Sequence, residues 1–330
     1  MNYLVLFLSI CLFLPVMADV VTDAVNIKPS AVIKCSPSGN SNGALAPSKA
    51  FHILTSGQEL KLLPGNYSGV VVVGKNKVIV SGDGAGKCNA VLRITARDCV
   101  IRQLWVKRLI VQNSLVVVNS VIDFLQSENR HKGNQTIVFY NCCIRQVLNH
   151  NNDVKFVFIN CTFRNGGSIL DINSKTKLFF TDSVLDSGQF VFTITNSRGR
   201  KSKIYLKNSY MYGQSGLAVD SLMRNKSLPA AYSIKELRKL ANFNFTGQKP
   251  LKKAFFKIEL AALNKIKNPF GPESFLQTED SPCKAAGIIP SKIPYFSKEK
   301  RDESGGEKVA QSWDEKFNNV KNKLSEMFKK

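Results

Sequence analysis

Residues 141–165, NCCIRQVLNHNNDVKFVFINCTFRN, decide the fold because they begin and end with the same short pattern. In this pattern an Asn precedes a small residue, and the third residue after the Asn is apolar. Segments of this type begin at the residues that we call ladder residues: Asn76, Asp98, Asn119, Asn141, Asn160, Asp182 and Asn208. The intervals of 19–26 residues leave no room for a helix in each unit, so the repeat predicts a solenoid of short strands.

Side chains alternate in direction along a strand, so the repeat also predicts which residues face the core. We expect the third residue after each ladder residue to point inward. A second inward column lies two positions before the ladder residue and comprises Val117, Phe139, Phe158, Phe180 and Leu206. The ladder residue itself is expected in the bend between strands, where Asx side chains tolerate a left-handed backbone conformation.

Two outward columns follow from the same alternation. The second position after each ladder residue forms an apolar stripe: Val78, Val100, Val121, Cys143, Thr162, Val184 and Tyr210. A long exposed apolar stripe is unusual on a monomer, so we expect residues beyond the coil to cover it. The fourth position carries charges that are predicted to pair at the surface across neighbouring strands: Arg102, Asp123, Arg145, Arg164 and Asp186.

These features resemble the right-handed parallel β-helix superfamily of pectate and pectin lyases. The resemblance rests on the ladder, notably residues 160–165, and on the lead-in segment SGQELKLLPGNY at residues 56–67. It covers about residues 46–216. It implies an all-β solenoid, a right-handed parallel β-helix of about seven rungs, with an N-terminal capping helix at 47–54 and a helical C-terminal extension.

Composition divides the chain into segments. They are a signal peptide at 1–18, a polar lead segment at 19–45, the β-helix at 46–216, a helical or irregular region packing on the coil at 217–297, a charged linker at 298–306 and an amphipathic helix at 307–330. Helical patterns inside the fourth segment lie around 233–242 and 253–267. In the last helix, apolar residues recur at steps of three and four, and we expect it to dock on the coil, to self-associate, or to bind a membrane surface or another partner.

The first segment suggests export. Its apolar run at 4–16 is too short to span a bilayer, and small residues suited to cleavage follow it. We therefore expect a secreted, periplasmic or cell-surface protein without a transmembrane span after signal removal. Five Asn-x-Ser/Thr sequons occur, at Asn66, Asn134, Asn160, Asn225 and Asn244, and the ladder position of Asn160 makes it too constrained for a glycan.

Seven cysteines follow the predicted signal peptide. Cys142 and Cys161 are expected to point inward on adjacent rungs as buried thiols. Cys35 and Cys88 flank the first coil, and we predict a disulfide between them that pins the N-terminal cap. Neither a CxxC pair nor a His/Cys cluster indicates a metal site.

The formal charge of +22 suggests an acidic partner, although charge spread for solubility would give the same total. Basic residues concentrate in two loops that the repeat places at one edge of the coil: Arg130, His131, Lys132, Arg198, Arg200, Lys201 and Lys203. With the shorter loops at 149–153 and 173–177 they form an edge that we call the basic rim. The rim predicts binding of an acidic polysaccharide or another polyanion.

Catalytic residues are not evident from the sequence. Lyases of the resembled superfamily use an Arg or Lys base with Ca²⁺ held by clustered carboxylates, and glycosidases of the fold use paired carboxylates. Only Asp153 and Asp171 lie near the rim, and the sequence does not bring them into one site. We therefore predict a binding protein without a cofactor. The alternative is a polysaccharide lyase, acting by β-elimination on uronate polymers, or a glycoside hydrolase at the cell surface, and only the lyase calls for Ca²⁺.

Overall fold

The computed structural model describes residues 26–39, 43–128, 135–150, 153–195, 198–213, 215–219, 231–237, 240, 243–246, 256, 272–281, 283, 286–293 and 295. The predicted signal peptide, charged linker and last helix lie outside these residues. Two α-helices are present in the described part, α1 (Pro47–Ile53) and α2 (Ile234–Leu237). Short 3-10 turns span Gly199–Lys201, Pro272–Phe275 and Pro290–Lys292.

The rest of the regular structure is strand. In chain order the strands are β1 (Val32–Cys35), β2 (Glu59–Leu62), β3 (Gly65–Val73), β4 (Ile79–Gly82), β5 (Cys88–Ile94), β6 (Cys99–Arg102), β7 (Trp105–Val111), β8 (Leu115–Val118), β9 (Val121–Ser127), β10 (Gln135–Tyr140), β11 (Cys143–Asn149), β12 (Val154–Ile159), β13 (Thr162–Asn165), β14 (Leu170–Ile172), β15 (Thr176–Thr181), β16 (Val184–Ser187), β17 (Phe190–Ile194), β18 (Lys203–Lys207), β19 (Tyr210–Tyr212), β20 (Ser215–Val219), β21 (Ala231–Tyr232) and β22 (Phe243–Thr246).

The strands stack into two parallel sheets that wind around one core. The first sheet has the order β1-β2-β4-β6-β8-β10-β12-β15-β18-β22, and the second runs β21-β20-β17-β14-β11-β9-β7-β5-β3. The second sheet divides at β11, which pairs with both β13 and β14, and β13 continues through β16 to β19. Only β21 pairs antiparallel among the described strands. The topology confirms the predicted parallel β-solenoid, and β1, β2 and β22 extend the first sheet beyond the predicted rungs.

Five of the seven ladder residues form one column at the corner after the first-sheet strands. Their backbone φ angles lie between 47° and 53°, and they are Asn119, Asn141, Asn160, Asp182 and Asn208. The side-chain nitrogen of Asn141 donates to the side-chain oxygen of Asn119 at 2.8 Å, so the stacked amides bond along the coil. The turn-forming role predicted for these five residues is confirmed.

The two remaining ladder residues, Asn76 and Asp98, lie elsewhere. Asp98 precedes the first-sheet strand β6, whereas Asn119 follows the neighbouring strand β8, so the two lie at opposite ends of that sheet. The place next to Asn119 is taken by Gln103, whose φ is 51°. In the first segment the left-handed residue is Lys77 rather than Asn76. Asp98 does adopt the predicted left-handed conformation, with a φ of 59°. Its place in the column was predicted wrongly because neither Gln nor Lys is a typical left-handed residue.

This shift also reverses the predicted directions in the first segment. Val78 and Val80 belong to the main core cluster, whereas Ile79 is fully buried but lies outside that cluster. Val100 does point outward, but it lies in the first sheet, where it pairs with Ile79 and Val116. Val78 and Val100 are therefore not part of the predicted outer stripe.

The predicted inward aromatic column is confirmed. Phe139, Phe158 and Phe180 are fully buried on adjacent strands. Their rings stack with centroids 5.1 Å apart at both steps. Such stacked aromatic pairs add roughly 0.5–1.5 kcal/mol each beyond the burial of their area. The column fixes which face of each strand points inward, because a slip of one residue would move every ring to the outside.

The N-terminal end is closed by α1, which confirms the predicted capping helix. Ala50 of α1 and the following Leu54 are buried in the core cluster. Cys35 and Cys88 join the same cluster as free thiols, so the predicted disulfide between them is wrong. The Cys88 thiol instead contacts the carbonyl oxygen of Leu63 at 3.4 Å. Cys142 and Cys161 are buried free thiols, as predicted.

Residues 272–295, where described, lie on the outer stripe of the second sheet, and we call them the C-terminal strap. Two apolar clusters join strap and coil: Val121 and Cys143 with Phe275, Ile288 and Ile293, and Val184 and Tyr210 with Phe256, Cys283 and Ala286. Phe256 forms an isolated bridge with Gln277, in a stretch where a helix was predicted. The predicted helix at 233–242 is limited to α2 in the described residues.

Polar contacts fix the register of the strap on the coil. The backbone nitrogen of Ile288 donates to the Thr162 hydroxyl at 3.1 Å, and that of Ile289 donates to the ladder residue Asn141 at 2.5 Å. Further along, the Tyr295 hydroxyl donates to the Gln103 carbonyl oxygen at 2.8 Å. Within the described residues, no helix is long and apolar enough to cross a membrane.

Candidate functional site

The basic rim lies where the chain passes from the second sheet to the first. Arg198, Lys201 and Lys203 are exposed there, and Arg200 lies in the 3-10 turn Gly199–Lys201. The other predicted cluster, Arg130, His131 and Lys132, lies outside the described residues. The structure therefore places the second predicted cluster at the rim and leaves the first untested.

A column of lysines runs along the outer face of the first sheet beside the rim. Lys155, Lys177 and Lys203 occupy paired positions on the adjacent strands β12, β15 and β18. Their strand neighbours Phe156, Leu178 and Ile204 are buried in the core, so the lysine positions face outward. Neighbouring strands lie about 4.8 Å apart, which places one ammonium group per strand along the coil.

Sequence reasoning identified Lys203 and the loop that contains Lys177, but it missed Lys155. The signal was present in the repeat, because each of the three lysines precedes its ladder residue by five positions. The outward positions continue from the corner back into the preceding strand, and Lys155 occupies one of them. Lys177 and Lys203 are exposed, whereas Lys155 is half-buried.

The lysine column concentrates positive charge. Burial lowers the pKa of Lys155, and the charge of Lys177 on the next strand lowers it further. Like charges directly opposite each other on neighbouring strands are destabilising. Among the described residues of β10, β12, β15 and β18 none is acidic. Asp153 at the rim is paired with Lys175 at 2.9 Å. An anion bound along the column would offset the repulsion.

An aromatic pair borders the lysine column. Phe179 and Tyr205 occupy paired outward positions on β15 and β18, and their rings stack with centroids 4.6 Å apart and an interplanar angle of 5°. Because the rings face each other along the coil, the two inner ring faces are covered. Ligand contact at this pair would therefore be limited to the ring edges and the two outer ring faces.

A second polar surface lies on the outer face of the second sheet. The guanidinium of Arg108 lies 4.7 Å from the ring centre of Phe124 and donates to the side-chain oxygen of Gln126 at 2.7 Å. The amide of Gln126 donates to Glu128 at 3.2 Å, and Arg93 lies 3.6 Å from the same carboxylate. These groups form a polar surface across three strands, in which the buried Nε atoms of Arg93 and Arg108 have no hydrogen-bond partner among the described residues.

Asp171 continues this surface. Its carboxylate accepts a hydrogen bond from the Gln146 amide at 2.9 Å. Burial raises the pKa of Asp171, while the hydrogen bonds from Gln146 and Thr193 oppose the rise. Asp153 is held by Lys175 at the rim, so these two carboxylates have separate partners. Among the described residues, no group of three or more His, Cys, Asp or Glu side chains could hold a metal ion.

The predicted column of surface charge pairs is corrected by the structure. Arg102 lies in the first sheet and pairs with Glu59 at 2.6 Å, and Asp123 pairs with Lys87 at 2.5 Å. Arg164 and Asp186 are strand partners that form an ion pair, at 2.7 Å. On β11, burial lowers the pKa of Arg145 and the charge of Asp123 on the neighbouring β9 opposes that shift. Arg164 and Asp186 are fully buried rather than exposed, because the strap covers them. Their role is to hold the strap on the coil.

Comparison with known proteins assigns the chain to no family. No family model matches the chain, and neither does any curated protein. Among solved structures, the crystal structure of pectate lyase Pel9A is similar at 13% identity, covering 85% of this chain and 95% of that chain with a TM-score of 0.39. At this TM-score the likeness supports no conclusion about this chain, and the activity named for Pel9A remains a property of that protein.

Proposed function

We propose that the protein binds a linear polyanion, with acidic polysaccharide as the first candidate, along a basic strip. The strip consists of the lysine column, Lys155, Lys177 and Lys203, with Arg198 and Lys201 of the rim beside it. The register of the three lysines on adjacent strands carries the proposal. An overall charge of +22 would support the same preference at longer range by attracting polyanions to the surface.

The geometry favours a polymer over a small anion. A column parallel to the coil offers one positive group per strand, at about 4.8 Å intervals. An extended polymer with regularly spaced carboxylate, sulfate or phosphate groups can contact several of these lysines at once. Each contact releases a counterion, so affinity should fall steeply with salt.

The contacts would be mainly electrostatic. The Phe179 and Tyr205 rings cover each other's inner faces, which reduces the aromatic surface on which a sugar ring or a base could stack. We therefore expect charge density and charge spacing to matter more than the identity of the monomer. A neutral polysaccharide should bind weakly or not at all.

The alternative function is a polysaccharide lyase or glycoside hydrolase. Under that alternative, the outward carboxyl of Asp171 on the second sheet is the group to test first, because burial raises its pKa. Ca²⁺ enters only with the lyase. Binding along the first sheet does not require turnover, and the experiment below separates the two.

The test uses residues 19–330 with polygalacturonate, a sulfated glycan and neutral dextran. Retention is measured at low and high salt, together with the ultraviolet absorbance of unsaturated uronate products. The K177Q/K203Q variant should lower the slope of log affinity against log salt by about two, or one per lysine contact removed. The matched control K49Q/K75Q removes two exposed lysines far along the chain and should change the slope little.

Each outcome decides the proposal. Salt-sensitive retention that depends on Lys177 and Lys203, without a gain in absorbance, supports binding along the strip. Retention that the K177Q/K203Q variant leaves unchanged would refute the strip. Rising absorbance on polygalacturonate would make the protein a lyase.

A further inference from the structure

We propose that Asn66 is an acceptor for an N-linked glycan, that Asn244 is a second, and that the matching sequon at Asn160 is closed by the fold. All three positions share the motif Asn-x-Ser/Thr, so sequence alone does not separate them. Their surroundings in the structure distinguish the three positions. The inference rests on other observations than polyanion binding, although Asn244 pairs with Tyr205 of the aromatic pair that borders the lysine column.

Asn66 is presented to solvent by the strand that carries it. In β3 the side chains of Asn66 and Ser68 are exposed, while Tyr67 between them points inward. The Tyr67 hydroxyl donates to the carbonyl oxygens of Cys35 and Leu63, at 2.9 and 2.7 Å. This buried anchor fixes the alternation, so both groups that define the sequon, the amide and the hydroxyl, face outward.

The Asn66 amide is also oriented suitably for a glycan. Its side-chain oxygen accepts a hydrogen bond from the Asn89 amide at 2.7 Å, whereas its own nitrogen has no partner in the described residues. The nitrogen is the atom that bonds to the sugar. On the same strand Val70 and Val72 are 47% and 42% exposed. β3 is the terminal strand of its sheet among the described residues, and a glycan there would screen the apolar pair.

Asn160 has the same motif, but the fold leaves no space for a glycan there. It is a ladder residue with a φ of 49°, and its backbone nitrogen donates to the Thr181 carbonyl oxygen at 3.1 Å. The Thr162 side chain of this sequon is fully buried. Its hydroxyl accepts the hydrogen bond from Ile288 of the C-terminal strap. A glycan attached to Asn160 before folding would stand at the corner where strap and coil meet, so the folded protein should not carry one.

Asn244 lies at the other end of the coil. It is exposed in β22, where it pairs with Tyr205 of β18. β22 ends the first sheet within the described strands, as β3 ends the second. Asn66 and Asn244 therefore lie on terminal strands at opposite ends of the stack.

The modification itself is a group transfer from a lipid-linked oligosaccharide diphosphate. The Asn66 amide nitrogen forms a bond to the anomeric carbon of the first sugar. The bond from that carbon to the diphosphate oxygen breaks, the lipid diphosphate leaves with the electron pair, and the amide loses one proton. Nothing is oxidised or reduced.

The test is secretion from cultured eukaryotic cells, with the leader of a secreted host protein replacing residues 1–18. Glycans are released enzymatically in ¹⁸O water, which converts each glycosylated Asn to labelled Asp, and peptides are then mapped by mass spectrometry. We expect label at Asn66 and Asn244 and none at Asn160. N66Q should remove one glycan, as should S68A, which keeps the Asn. The control N89Q changes the neighbouring amide and should remove none.

The result that would overturn the inference is equally direct. Secreted, folded protein with an unmodified Asn66, or with a glycan at Asn160, would show that exposure in the coil does not select the acceptor. If N66Q is not secreted, S68A decides the assignment, because it removes the motif without touching the amide contact to Asn89.

Discussion

Replacing Asp186 with Asn would leave the Arg164 guanidinium without its counter-charge in the interior. The two side chains are 1% and 0% exposed, and the Arg164 Nε donates to the carboxylate at 2.7 Å. Removing one partner of a buried ion pair costs about 3–5 kcal/mol, since the remaining charge is uncompensated. Arg164 keeps the Ser274 carbonyl oxygen and the Phe256 ring 4.0 Å away, so we expect the D186N loss at the lower end, about 3 kcal/mol.

The assay is urea unfolding followed by circular dichroism, with the free energy of unfolding taken from the transition. The matched control is D153N, which removes a carboxylate from the Lys175 ion pair at 2.9 Å, where both side chains are 53% exposed. An exposed pair contributes about 0–1 kcal/mol, so D153N should change little. The double variant R164M/D186L removes both charges and should be more stable than D186N.

Equal effects of D186N and D153N would refute this reasoning. They would mean that water reaches the Arg164–Asp186 pair and that the strap does not cover it in solution. A double variant no more stable than D186N would likewise show that the loss came from packing rather than from an uncompensated charge.

Three further predictions concern the strap, pH and the thiols. Gly287→Ala should destabilise the docked strap by about 1–2 kcal/mol, because Gly287 has a φ of 84° and an added Cβ would lie 2.7 Å from the Thr162 hydroxyl oxygen. The loss should appear as faster proteolytic cleavage between strap and coil in the variant than in wild type. Burial raises the pKa of Asp171, so the stability that this carboxyl contributes is present below its ordinary pKa and is lost as pH rises through the raised value. The difference in free energy of unfolding between wild type and D171N, measured by urea titration, should therefore favour wild type more at about pH 3 than at about pH 7. In residues 19–330, Ellman's reagent should find no reactive thiol in the folded protein, because all seven cysteines of that segment are buried and burial raises the pKa of Cys88 and Cys99 to about 12. It should find seven thiols after denaturation, and fewer than seven would indicate a disulfide.

The architecture was predictable because burial repeats with the coil. The inward column of Phe139, Phe158 and Phe180 and the left-handed bends at Asn119 to Asn208 are both local patterns, and a solenoid brings each pattern next to its own copy. The register failed in the earliest turns, where Lys77 and Gln103 adopt the left-handed conformation. Sequence signals for that conformation come from Asn, Asp and Gly, so a Lys or Gln there gives no warning.

The candidate site was predictable in part. Lys203 and the loop that ends at Lys177 were identified from runs of charged residues, which are typical of loops. Lys155 was missed because it is an isolated charge inside an apolar strand. It is recognised as part of a lysine column only when the three strands are aligned in register. The path of the strap could not be predicted, because it depends on single contacts such as Ile289 to Asn141 between residues 148 positions apart.

The most direct test of the account is lysine footprinting of residues 19–330 with and without polygalacturonate. Brief acetylation followed by peptide mass spectrometry measures the accessibility of each lysine. Polyanion binding along the first sheet should protect Lys177 and Lys203 at low salt, leave Lys49 and Lys75 unprotected, and be reversed by high salt. Protection spread evenly over all exposed lysines, or absent from Lys177 and Lys203, would contradict the basic strip as the binding site.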